Sequence, residues 1–140
     1  MSSLNYTTLF IALLSLFMGC LNFNTQQSNP FVEYKRSGGF AGLNDHLILN
    51  ENGTASLTRK SIDSEITVSE TNMTQLRSML ESVDFRRLEK EYLASRQGAD
   101  YIEYQIIYNG HAVRTQDTAI PEPLQPIIDL LNTICEYKEN

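Results

Sequence analysis

The chain has 140 residues, which is enough for one domain and too few for two. Its net charge of −6 argues against nucleic-acid binding, because such binding depends on cations that neutralise phosphate. Apolar residues make up 41% of the chain and charged residues 20%, which is ordinary for a globular protein.

The charged residues are absent from the start of the chain. The first of them is Glu33, so an uncharged leader precedes a charged remainder. Within the leader, residues 9–21 form an apolar run that is too short to cross a bilayer comfortably as a helix. The run has the length of a signal-peptide core and closes around Gly19 and Cys20.

The residues before Cys20, Leu16 to Gly19, resemble a bacterial or archaeal lipobox, in which a small residue precedes a cysteine that becomes acylated after cleavage. We therefore expect a signal peptide over residues 1–19 and lipid attachment at Cys20. Each buried CH₂ of such a lipid adds about 0.8 kcal/mol of membrane affinity. The alternative is an uncleaved N-terminal anchor from Leu4 to Phe23.

Both alternatives predict an exported protein attached to the outer face of the cell membrane, or to the outer membrane of a Gram-negative cell. Residues 22–30 are polar and uncharged, as in a flexible tether. The domain organisation predicted here is a lipid-anchored tether over residues 20–30, followed by one domain over residues 31–140.

Strand patterns dominate the first part of that domain. Phe31 to Lys35 alternates apolar and polar residues and predicts a first strand. His46 to Leu49 and Thr54 to Thr58 flank Asn50 to Gly53, a hairpin signal with glycine placed for a positive φ. A further short extended segment is indicated by three apolar branched residues, Ile62, Ile66 and Val68.

A helix with one buried stripe is predicted after Ser69, which offers an N-cap. The apolar residues of this stripe recur at spacings of three and four, at Met73, Leu76, Leu80 and Val83. Three further apolar residues either extend the helix or form a second short turn: Phe85, Leu88 and Tyr92.

A second hairpin and a last helix complete the chain. Tyr101 to Tyr108 predicts a strand, Asn109-Gly110 a type I′ turn, and His111 to Thr115 the returning strand. Pro121 opens a helix with one apolar side. The predicted fold class is α+β, with an antiparallel sheet of about four to five strands built from two hairpins and two helices packed on one face.

No pattern of catalytic or metal-binding residues emerges. A zinc site needs three or four ligands, whereas His46 and His111 are far apart and have no partner ligand at helical spacing. There is no Gly-x-Ser-x-Gly elbow, and Cys135 lies on the apolar stripe of the last helix, where we expect a small buried hydrophobe. We predict no enzymatic activity, cofactor or metal.

The glycine-rich segment from Ser37 to Gly42 lacks the glycine spacing and the following helix of a nucleotide-binding loop. Two interpretations remain open. The segment is either a tightly turned connection or an exposed loop whose Phe40 enters a partner's pocket, since glycines allow close backbone approach.

From Phe31 to Ile134 the chain resembles the emfourin family, small proteins whose namesake inhibits thermolysin-like zinc metalloproteases of the protealysin group. The resemblance rests on residues Tyr34 to Gly42, read as Tyr-Lys-Arg-Ser-Gly-Gly-Phe-Ala-Gly, and on the predicted helix Leu76 to Leu80 followed by Phe85 and Leu88. It also includes Ala99-Asp100 ahead of Tyr101 to Tyr104, the Asn109-Gly110 turn and the Pro-rich opening of the last helix. The leader departs from the family, whose typical inhibitors are plain soluble proteins.

The resemblance implies a compact α+β domain, likened to cystatins, that inhibits by loop insertion. The partner-binding residues that follow are Gly38, Gly39, Phe40, Gly42, Asn109 and Gly110. We therefore expect a membrane-tethered protein-binding module that inhibits a secreted thermolysin-like metalloprotease. The alternative is a lipoprotein with a structural or accessory role and no effect on proteolysis.

Overall fold

The computed structural model describes residues 29–95 and 100–136. The predicted signal peptide, the lipid attachment at Cys20 and most of the predicted tether lie outside these residues. The described elements, in chain order, are β1 (Val32–Gly38), β2 (Leu43–Leu49), β3 (Thr54–Arg59), β4 (Ile62–Thr67), α1 (Glu70–Ser82), β5 (Glu91–Tyr92), β6 (Ile102–Tyr108), β7 (His111–Gln116) and α2 (Gln125–Glu136). Two 3₁₀ turns, Phe85–Arg87 and Glu122–Leu124, follow α1 and precede α2.

The strands of residues 29–95 and 100–136 form one seven-stranded sheet in the order β4-β3-β2-β1-β6-β7-β5. The first four strands make a continuous antiparallel meander. β6 then pairs antiparallel with the free side of β1, with Val32 opposite Tyr108 and Gly38 opposite Ile102. Among the described strands, only β5 runs parallel to its neighbour, β7.

The α+β class is confirmed, but the prediction of an antiparallel sheet of four to five strands from two hairpins is only partly matched, because the described sheet has seven strands and its β5–β7 pairing is parallel. The glycine-rich segment does not interrupt the sheet. It turns the chain so that β2 begins at Leu43, earlier than His46. The segment at Ile62 is a full strand, and the sheet is mixed because the two-residue β5 lies parallel to β7.

The predicted helix after Ser69 is confirmed. The Ser69 side chain accepts a hydrogen bond from Asn72 N–H, which satisfies one of the backbone donors that the first helical turn leaves unpaired. The buried residues of α1 are Met73, Leu76 and Leu80. α1 ends at Ser82, and Phe85 belongs to a separate 3₁₀ turn capped by Asp84 rather than to an extension of the helix.

α2 lies over the same face of the sheet as α1 and supplies the larger apolar stripe: Ile127, Ile128, Leu131, Ile134 and Cys135. Pro121 precedes a 3₁₀ turn rather than the α-helix itself. The buried stripe packs on alternate residues of the strands, among them Val32, Tyr34, Leu47 and Ile106. The opposite face of the sheet is left to polar and half-buried side chains.

Candidate functional site

The turn between β1 and β2 is closely held at its base. Gly38 has φ +92°, and a Cβ atom added there would lie 2.4 Å from the carbonyl oxygen of Tyr101, so a side chain has no room. Gly39 N–H donates to that same carbonyl at 3.1 Å, and Gly42 N–H donates to Gly39 O at 3.0 Å. The turn is therefore fixed both to itself and to the start of β6.

The tip of this turn carries an aromatic side chain in solvent. Phe40 is 97% exposed. Of the large apolar side chains in residues 29–95 and 100–136, only Ile62 and Leu93 are otherwise exposed, at 71% and 48%. Natural domains bury most of their phenylalanine, so a phenylalanine this exposed on a turn with fixed geometry is a candidate contact residue.

The turn between β3 and β4 lies beside the first turn. Lys60 N–H donates to Asn44 O at 3.1 Å, and Lys60 Nζ lies 3.4 Å from Ala41 O. Ile62 follows this turn immediately, so two of the exposed apolar residues, Phe40 and Ile62, are at the same end of the sheet. We call this surface, made of Gly38–Gly42 and Lys60–Ile62, the loop end.

An ion cluster with a buried Arg36–Asp45 pair at its centre lies directly beneath the loop end. Arg36 and Asp45 are only 5% and 4% exposed, and Arg36 Nε donates to Asp45 Oδ2 at 2.7 Å. Arg36 Nη1 also donates to Asn132 Oδ1 at 2.9 Å and to Glu136 Oε1 at 3.0 Å, both on α2. Arg59 Nε lies 3.3 Å from Asp45 Oδ1. Two cations thus face two carboxylates in an electrically balanced group.

This cluster holds the two strands of the loop end to the last helix. Burial by itself lowers the pKa of Arg36, but the hydrogen bonds to Asp45 and Glu136 outweigh it and the pKa lies above its ordinary value. Arg36 is therefore a permanent cation. Because it is two residues before Gly38 and bonded to α2, the base of the turn is anchored independently of the turn's own hydrogen bonds.

Cys135 lies beside the cluster without the properties of a nucleophile. Its side chain is buried, and burial raises the pKa of the thiol to about 11, so the thiolate is scarce at neutral pH. Its backbone carbonyl accepts a hydrogen bond from Arg59 Nη2, which links β3 to α2. The role of this residue in the described structure is packing.

The structure does not bring all the predicted contact residues together. Asn109 and Gly110 form the β6–β7 turn with φ +49° and +76°, as predicted, and both are exposed. They follow Tyr108, which pairs with Val32 at the far end of β1 from Gly38. A strand of this length separates the two turns by about 20 Å, so one contact edge of this sheet cannot contain both.

The two histidines are also separated. His46 is on the face of the sheet opposite the two helices, which we call the open face. There its Nε2 lies 2.9 Å from Glu33 Oε1, whereas His111 begins β7. Across residues 29–95 and 100–136, no group of three or more His, Cys, Asp and Glu side chains is placed to hold a metal ion.

Sequence reasoning missed the buried pair and Ile62. A signal for the pair was present, because Arg36 is in phase with the apolar Val32 and Tyr34, and Asp45 is in phase with Leu47 and Leu49. Opposite charges at buried positions of consecutive strands indicate a cross-strand pair. The exposure of Ile62 had no such signal, because it depends on how far the helices extend over the sheet.

Comparisons of the chain with known protein families and with curated protein sequences give no match. In the part of the chain that the structure describes, neither helix is long and apolar enough to cross a membrane.

Proposed function

We propose that this protein is a protein-binding module whose loop end enters a cleft of its partner, and that the partner is a thermolysin-like metalloprotease outside the cytoplasm, which it inhibits. The predicted N-terminal lipid would hold the module at the membrane surface. One observation carries the proposal: Phe40 is 97% exposed at the tip of a turn that is fixed at its base.

The physical case rests on pre-organisation. Burying a phenylalanine side chain in a partner contributes about 1.5–3 kcal/mol. A flexible loop would lose much of this gain to ordering, whereas a turn held by Tyr101 and by the Arg36 cluster is already ordered. Glycines at positions 38, 39 and 42 leave the partner's backbone free to approach closely.

The partner class comes from the resemblance to emfourins in residues 34–42. The loop end contains the Gly-Gly-Phe-Ala-Gly part of that resemblance in its most exposed position. Asn109 and Gly110 lie at the other end of the sheet. Within this proposal they are therefore not part of the surface that enters the cleft.

The test is a titration of the full-length chain into thermolysin and into a protealysin-type enzyme, with a peptide substrate. We expect stoichiometric inhibition. Phe40→Ala should weaken inhibition by about tenfold or more, because the anchor is lost while the fold is unchanged. The matched control is Leu93→Ala, which removes another exposed apolar side chain and should leave inhibition intact.

Two outcomes would overturn parts of the proposal. Equal inhibition by Phe40→Ala and the unmodified chain would show that Phe40 is not the anchor. No inhibition by a folded chain would exclude both proteases as partners and favour the structural or accessory lipoprotein.

A further inference from the structure

β4 forms an edge of the sheet. It pairs with β3 on one side, and no described strand pairs with its other side. It is six residues long, and all of its residues except Ile66 are exposed. At the opposite edge the two-residue β5 pairs with β7 through Arg114 and Thr115, so that edge is partly covered.

The hydrogen-bond pattern between β3 and β4 shows which backbone groups of β4 face away from the sheet. Residues of an antiparallel pair alternate between those bonded to the neighbour and those directed away from it. The bond from Val68 N–H to Gly53 O, at 2.9 Å, fixes the phase, so Ile62, Ser64 and Ile66 bond to β3. The backbone groups of Asp63, Glu65 and Thr67 therefore face outward.

The side chains of β4 alternate between the two faces of the sheet. Asp63, Glu65 and Thr67 lie on the open face, in register with Thr58, Ser56 and Thr54. Ile62 and Ile66 lie on the helix face, where Ile62 remains 71% exposed. Asp63 accepts a hydrogen bond from Thr58, but no cation of the described residues forms an ion pair with either Asp63 or Glu65.

We propose that β4 is a docking strand for an extended segment of a partner protein, which adds to the sheet as an eighth strand. The segment carries Lys or Arg on the face next to Asp63 and Glu65, and apolar side chains on the face next to Ile62 and Ile66. Main-chain hydrogen bonds to the outward groups supply affinity, and the alternating side chains supply selectivity. This inference rests on no part of the proposed inhibition.

The negative charges of Asp63 and Glu65 determine which kind of strand can pair with β4. Antiparallel pairing of β4 with a second copy of itself would place carboxylates against carboxylates, and like charges across neighbouring strands are destabilising. A strand that carries Lys or Arg would instead be attracted to the carboxylates of Asp63 and Glu65. The net charge of −6 also favours its approach over distance.

The experiment uses the full-length chain and an end-blocked octapeptide of alternating lysine and valine. Amide hydrogen exchange is measured with and without the peptide. We expect saturating peptide to slow exchange at the outward amides of Asp63, Glu65 and Thr67 by about tenfold or more, as strand pairing requires. A peptide of alternating glutamate and valine should give no such protection.

Two variants make the test specific. Glu65→Pro removes an outward N–H without removing a bond to β3, so peptide binding should be lost, whereas Glu65→Gln should weaken it only modestly. The double variant Asp63→Lys/Glu65→Lys should reverse the preference in favour of the glutamate peptide. Binding without protection of these amides, or an unchanged preference in the double variant, would overturn the proposal.

Discussion

Gly38 shows how one residue can fix the shape of the β1–β2 turn. Its φ of +92° is unfavourable for any side chain, and the carbonyl of Tyr101 occupies the space that a Cβ atom would need. Gly42 has φ +58° but nothing within 4 Å of such an atom. Substitutions at these two glycines therefore distinguish two effects. A side chain at Gly42 would meet backbone strain alone, whereas a side chain at Gly38 would meet both strain and a steric clash.

We expect Gly38→Ala to lower the free energy of unfolding by about 2–4 kcal/mol, because it adds strain and displaces the carbonyl that Gly39 binds. Gly42→Ala should cost only about 1 kcal/mol, from strain alone. Urea unfolding of both variants measures the difference. Equal losses would show that the contact with Tyr101 does not constrain the turn.

The buried Arg36–Asp45 pair gives a second prediction at the residue scale. Arg36→Met should destabilise the protein by about 3–5 kcal/mol, because Asp45 would stay buried with only the half-exposed Arg59 as counter-ion. The double variant Arg36→Met/Asp45→Leu should recover part of that loss, as measured by thermal and urea unfolding. A double variant less stable than Arg36→Met alone would argue against an uncompensated charge as the cause.

At the scale of the elements, the stability of α1 depends on its N-cap residue, Ser69. Ser69→Ala removes the side chain that accepts from Asn72 N–H and should cost about 1 kcal/mol of stability. Ser78→Ala, an exposed position within the same helix, is the control. It should leave stability unchanged or slightly improved, since alanine is the better helix former. Similar losses in the two variants would contradict the capping role.

Glu33, on the open face of β1, makes the free energy of unfolding depend on pH in the acidic range. Lys35 Nζ lies 2.8 Å from Glu33 Oε1, and this hydrogen bond lowers the pKa of Glu33 against the opposing effect of burial, with His46 acting in the same direction as Lys35. A carboxyl whose pKa is lowered on folding stabilises the protein above its unfolded pKa. That stability is lost as the pH falls through the lower, folded value.

Glu33→Gln should therefore flatten the pH dependence of unfolding below pH 4.5, the ordinary value for this group. Lys35→Met should do so in part, because it removes the main cause of the shift and leaves the carboxyl. Urea midpoints measured across this acidic range supply the comparison. An unchanged slope in Glu33→Gln would assign the acid sensitivity to other groups.

For the whole molecule, local signals in the sequence predicted local structure well. Asn109 and Gly110 both adopt the positive φ that their turn requires, and Ser69 caps α1. These features depend on residues a few positions apart. Phe40 is likewise exposed, in a turn whose glycines adopt positive φ.

What the sequence did not predict depends on distant parts of the chain. β5 is held by Arg114 N–H, which donates to Lys90 O, and a two-residue parallel strand has no pattern of its own. The position of the β1–β2 and β6–β7 turns at opposite ends of the sheet depends on the β1–β6 register. That register comes from packing between the halves of the chain, and no short motif encodes it.

The central position of β1 has a consequence for how the molecule is made. Its neighbour β2 follows at once, but its other neighbour, β6, begins at Ile102. Synthesis therefore completes the β1–β4 meander long before β6 emerges, and closing so long a loop makes the β1–β6 ladder a late, slow step. Until then β1 presents an open hydrogen-bonding edge, where nascent chains are most exposed to association with one another.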